Sequence, residues 1–126
     1  NSVEQANAIC WRELGKVSRS FAMVIRNLPE GLDREVMVGY EILRTVDTIE
    51  DSMLDMETKK EAFEVFCSIL DGNTDLRNIQ ELQRFLDMGT YKELDKAVVN
   101  YIVPNIFTVL FDLGEGQRRI ISDTAR

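Results

Sequence analysis

The chain has 126 residues, enough for one modest domain, and its 44% hydrophobic and 29% charged content is that of an ordinary globular chain. Its net charge of −7 excludes a general affinity for nucleic acid. It contains no histidine, which excludes histidine-based metal sites and Ser-His-Asp or Cys-His catalysis within it.

Taken in order, every segment reads as helix, because no stretch sustains period-two alternation and proline and glycine are sparse. The spacing predicts a first helix over Val3 to Leu14, ended near Gly15. A short second helix covers Ser18 to Asn27, capped by Ser18 or Ser20. Leu28-Pro29-Glu30-Gly31 makes a turn, and a long helix follows from Leu32 to Met53, with Asp33 and Glu35 well placed near its start. Thr58 to Leu70 is a fourth helix, stopped by Asp71-Gly72-Asn73. A more polar fifth runs from Asp75 to Met88. Tyr91 to Val103 is a sixth, which Pro104 must end or kink. Asn105 to Leu113 continues as an apolar segment, Gly114-Glu115-Gly116 permits a bend, and Gln117 to Arg126 is helical.

Several expectations follow for the molecule as a whole. Phe107, Val109, Leu110 and Phe111 form an apolar block that needs cover, so self-association or helix swapping is expected. Cys10 and Cys67 read as small buried hydrophobes in a reducing compartment rather than as a disulfide. No apolar run approaches the roughly 18 residues of a membrane span, and the polar start is unlike a signal peptide. An intracellular location follows, cytoplasmic or membrane-associated, with any anchor outside these residues. The chain starts Asn1-Ser2 without methionine and stops at Arg126 without a C-terminal signal, as a piece of a longer single-domain protein would.

The long helix carries the chemistry. At about 100° per residue, with Asp47 at zero, Tyr40 falls near +20°, Asp51 near +40°, Arg44 near +60° and Glu50 near −60°. Val38, Ile42, Val46, Ile49 and Met53 take the opposite side. Asp47 and Asp51, one turn apart, can grip a hard cation together. Magnesium takes one or two protein carboxylates and completes its shell with water and phosphate oxygens, so a dianionic face beside a guanidinium suits a metal-bridged diphosphate. An acidic stripe opposite an apolar one is equally the mark of a solvated surface helix. Val36, Tyr40 and Leu43 beside the carboxylates favour instead a helix buried on both sides, its acids facing a cavity. The pattern alone leaves both readings open.

Two segments, Val17-Ser18-Arg19-Ser20-Phe21-Ala22-Met23-Val24-Ile25 and Tyr40-x-x-x-Arg44-x-x-Asp47-Thr48-Ile49-Glu50-Asp51, resemble the squalene/phytoene synthase family in order and spacing. The Asp-Thr-Ile-Glu-Asp form is closer to the squalene-forming branch, and a weaker similarity runs from Pro104 to Arg126. The resemblance implies an all-α fold, the N-terminal helical part of an isoprenoid-synthase-type helix bundle. It implies that Asp47 and Asp51 bind magnesium, with Glu50 as a supporting ligand or second acceptor. Arg44 would pair with diphosphate or fix the carboxylates. Ser18 and Arg19 would contact diphosphate, Tyr40 would orient groups near the reacting carbon, and Phe21 would line the prenyl cavity. Ser52 stands where that branch usually carries a further aspartate. The family's second aspartate-rich motif and its later tyrosine segment have no counterpart in these residues, so the chain looks like the N-terminal third of such an enzyme.

The implied reaction of the full-length enzyme is head-to-head condensation of two farnesyl diphosphates to squalene through presqualene diphosphate, with Mg2+ and, for the squalene-forming half, NADPH. This stretch alone is expected to be inactive. The partner is a prenyl diphosphate and no nucleic acid; membrane proximity belongs to the whole enzyme. Phytoene or dehydrosqualene formation, and a non-catalytic helical interaction module of the same fold, are the alternatives.

Overall fold

A computed structural model describes residues 2–125 and is all-α, with no strand among them. α1 spans Val3–Val17 and opens on a reciprocal cap: Ser2 Oγ accepts from the Gln5 N–H at 3.1 Å and Gln5 Oε1 accepts from the Ser2 N–H at 3.2 Å. Ser18 then serves two helices. Its backbone N–H donates to Leu14 O at the end of α1, and its hydroxyl accepts from the Phe21 N–H at 3.4 Å to start α2, Arg19–Arg26. The turn into α3, Leu32–Asp51, passes through Gly31 at φ 95°, a left-handed conformation that a Cβ would oppose. The motif helix is thus two residues shorter than its spacing predicts. Ser52 ends it in an extended conformation, its hydroxyl donating to Ile49 O at 2.7 Å.

α4, Met56–Leu70, is capped by Asp55, and α5, Leu76–Asp87, by Asp75. The expected sixth helix is divided. α6, Glu93–Ala97, runs into a π-helical turn at Val98–Ile102 and then into α7, Val103–Leu110. Pro104 does not end the helical run: it stands at the second position of α7. In the widened turn the Val103 N–H donates to Val98 O instead of Val99 O. The released Val99 carbonyl accepts from Gln83 Nε2 of α5 at 2.9 Å, so no acceptor is lost and the two segments are tied together. α8 is Glu115–Ala125.

α1 packs on α7 and α2; α3 touches α1, α2, α4, α7, α8 and the π turn; α4 pairs with α5. Leu14, Ile25, Met37, Ile42, Phe66, Ile102, Ile106 and Leu110 are fully buried at the centre. Phe66 meets Phe107 edge-on at 6.0 Å. The apolar block expected to need an outside partner is covered by the chain itself: Phe107, Val109 and Leu110 are buried, and Arg118 lies 4.9 Å above the Phe111 ring. Cys10 and Cys67 form no disulfide, and Cys10 is fully buried. Among the described residues no helix is long and apolar enough to cross a membrane.

Candidate active site

The two motif segments, separated in sequence, meet in space. Phe21 of α2 lies against Tyr40 of α3 with ring centroids 4.6 Å apart, both rings half-buried. The Ser18 cap fixes Phe21 at the third position of its helix, so the short serine-arginine-serine element is held beside the motif helix. Arg19 points from this element as an exposed side chain.

Asp47, Glu50 and Asp51 are all exposed. Among the described residues Asp47 and Asp51 lie on the open side of α3 rather than in an enclosed cavity, because the side that the other helices cover is the one carrying Met37, Val38, Ile42 and Ile49. Asp47 and Asp51 share a flank, one turn apart, as their spacing requires. Glu50 stands on the other flank, lining a surface pocket of about 370 Å³ with Ile49, Met56, Lys59, Lys60 and Phe63. Lys59 Nζ donates to the Glu50 carbonyl at 2.6 Å. Among the described residues, no group of three or more Asp, Glu, Cys or His side chains is arranged to hold a metal. The pair Asp47 and Asp51 would by itself supply at most two carboxylates to a hard cation, whose other ligands would have to come from water or a phosphate. Ser52, fully used in closing α3, is buried and adds nothing to the pair.

Arg44 has a partner that its sequence neighbours do not reveal. It donates not to Asp47 but to Asp95 of α6: Nη2 lies 3.0 Å from Oδ1, and the Thr48 hydroxyl donates to the same oxygen at 3.1 Å. The Asp95 side chain is 6% exposed and that of Arg44 25%, so this is a largely desolvated pair. Removing one member of such a pair leaves a buried charge and costs about 3–5 kcal/mol. Asp95 carries no local signal; it is one carboxylate of many until the fold sets it under α3.

A second buried group also escapes the sequence reading. Glu41 of α3 is fully buried with neither carboxylate oxygen accepting a hydrogen bond by ordinary geometry. Burial pushes its carboxyl up to about 8; the Cys10 thiol beside it opposes the shift and the Glu13 charge adds to it. Glu13, also fully buried, is held through Oε2 by Arg12 at 2.8 Å and Lys16 at 3.2 Å. Burial and the neighbouring Glu41 carboxyl push the Cys10 thiol well above the ordinary range, so it behaves as an inert core residue.

The chain is similar in sequence to known proteins. The squalene/phytoene synthase family pattern matches residues 14–100, which contain both motif segments and Asp95. Squalene synthase of Schizosaccharomyces pombe is 30% identical over 118 residues, covering 93% of this chain and 24% of that protein. Squalene synthase of Homo sapiens is 31% identical over 127 residues, covering 100% of this chain and 28% of that protein. Lycopaoctaene synthase of Botryococcus braunii is 54% identical over 44 residues, 35% of this chain and 10% of that protein. The chain thus spans about a quarter of the length of the first two relatives. With an all-α fold, the two motif segments in contact and a family match over most of its length, this chain belongs to the squalene/phytoene synthase family.

Proposed function

We propose that this chain is the diphosphate-binding N-terminal part of a longer enzyme that condenses two farnesyl diphosphates head to head, giving squalene by way of presqualene diphosphate. The observation that carries the reading is the Phe21–Tyr40 contact, which sets the serine-arginine-serine element beside the helix of Arg44, Asp47 and Asp51. In this reading Asp47 and Asp51 hold magnesium, which when bound neutralises charge on a departing diphosphate. Arg44 contributes guanidinium donors to the diphosphate oxygens, and Ser18 and Arg19 approach them from α2. Tyr40 and Phe21 offer aromatic faces beside the reacting carbon, where a developing allylic cation needs shielding from water. Glu50, on its separate flank, acts through a water or a second acceptor rather than in the same ligand pair. NADPH belongs to the second half of the squalene-forming reaction, and no residue of this chain is assigned to it.

Formation of a different head-to-head product, such as phytoene or dehydrosqualene, is the second reading, because over 44 residues the chain is 54% identical to a relative named for a product other than squalene. Product identity is therefore read from the full-length protein, by chromatography of the hydrocarbon made with and without NADPH. Asp47→Asn and Asp51→Asn test the core of the proposal. Each keeps the shape and loses the charge that holds the metal. Each should cost at least about two orders of magnitude in turnover, near 2.7 kcal/mol of transition-state stabilisation. Near-normal turnover of Asp47→Asn, with an unchanged magnesium dependence, would return the stripe to a solvated helix face.

A further inference from the structure

The metal pair and the aromatic pair leave the buried carboxylate of Asp95 without a task. Asp95 lies 51 residues beyond Arg44, on a different helix, and its Oδ1 receives donors from two residues of α3 at once. Arg44 and Thr48 are one turn apart and fall on the same side of that helix. A single carboxylate oxygen wedged between them fixes the long arginine side chain, which would otherwise sample many rotamers. A guanidinium carries five N–H donors and the Asp95 bond uses one of them. Arg44 Nε is shielded from solvent and has no hydrogen-bond partner, so part of its donor capacity is unmet.

We propose that Asp95 is a positioning residue for Arg44: with Thr48 it holds the guanidinium on the Asp47–Asp51 side of α3, so that the remaining donors meet the oxygens of a metal-held diphosphate. The inference rests on the diphosphate-binding reading of this face. It explains why a carboxylate is buried at α6, since an ion pair kept for stability alone is often replaced by apolar side chains without loss. It also gives the π turn a structural consequence. The turn lies directly after α6 and is tied to α5 through Gln83, which steadies the short helix that carries Asp95.

The test is a double-mutant cycle on the full-length protein, with farnesyl diphosphate as substrate and magnesium varied. Asp95→Asn should raise the KM for farnesyl diphosphate at least about tenfold, the scale of a misplaced substrate contact. In an Arg44→Gln background the same substitution should change KM by less than about twofold, because its effect passes through Arg44. A purely structural Asp95 would lower Tm in both backgrounds and leave KM alone, and that result overturns the inference. Where Asp95→Asn does not fold, Thr48→Val replaces it. That change removes one bond to Oδ1 and keeps the ion pair, and should raise KM about threefold, only when Arg44 is present. An unchanged KM for that variant also overturns the inference. Asp47→Asn run in parallel separates the two levels. If it is inactive while the Asp95 and Thr48 variants bind substrate normally, the positioning role alone fails. If the wild type shows no magnesium-dependent turnover, or Asp47→Asn is normal, the diphosphate-binding reading fails and the positioning role with it.

Discussion

Glu41 shows how a single residue can set the pH response of a fold. Its carboxyl is raised from an ordinary 4.5 to about 8 because burial penalises the charged form. Below pH 4.5 the folded and unfolded states are both protonated, and the site places no load on folding. Between 4.5 and 8 the unfolded chain ionises while the folded one keeps its proton, so the unfolded state binds fewer protons and stability falls as pH rises. Above about 8 the penalty is complete. Glu41→Gln should therefore stabilise the chain at pH 7 by about 2 kcal/mol or more, and should flatten the decline of Tm between pH 5 and pH 8. Thermal melts of both proteins across that range check it; a parallel pair of curves would show that Glu41 is ionised in the fold. The residue was not legible as a buried group. On the helical wheel it sits near +120° from Asp47, at the margin between the acidic and apolar stripes, where periodicity does not decide burial. Asp95 was hidden for a different reason: its importance comes from a contact across the fold, and side-chain spacing reports only neighbours along one helix.

At the scale of the element, local rules gave most of the helices. The Ser18 cap, the glycines at 31 and 72 and the apolar stripes place boundaries within a few residues of those observed, whereas the caps at Asp55 and Asp75 emerge only in the fold. The exception is the run through Pro104. Proline signals a break, yet the chain absorbs the missing donor by widening the preceding turn and handing Val99 O to Gln83, a tertiary compensation with no local signature. The Ser18 cap is the element-level feature on which the site depends. Ser18→Ala removes the oxygen that receives the Phe21 N–H while leaving the backbone bond to Leu14 in place. It should cost about 1 kcal/mol of stability, typical for a lost N-cap. Because α2 is short, the first turn should fray, and Phe21 should loosen against Tyr40. Denaturant titration gives the stability, and amide exchange at Phe21 and Ala22 gives the fraying; unchanged exchange there would mean that packing alone fixes α2.

The whole molecule joins a closed core to an open site. Its apolar block at 107–111 is packed inside against α1 and α3, and large exposed hydrophobics such as Met23, Met53, Met56 and Ile120 are spread over different elements. The 126-residue chain should accordingly fold by itself, with a helical circular dichroism spectrum and a cooperative melt. The site has a different character. The acid pair is exposed, and the aromatic pair is half-buried. Water would quench an allylic cation formed there, and water's high dielectric would weaken every contact to the leaving diphosphate. A folded but open site should bind magnesium and diphosphate weakly and carry out no condensation. Purified chain incubated with farnesyl diphosphate, magnesium and NADPH should yield neither presqualene diphosphate nor squalene, while the full-length protein yields one or both. Product from the short chain would mean that the residues of α2 and α3 suffice to shield the cation, and that the role given to an enclosing cavity is wrong.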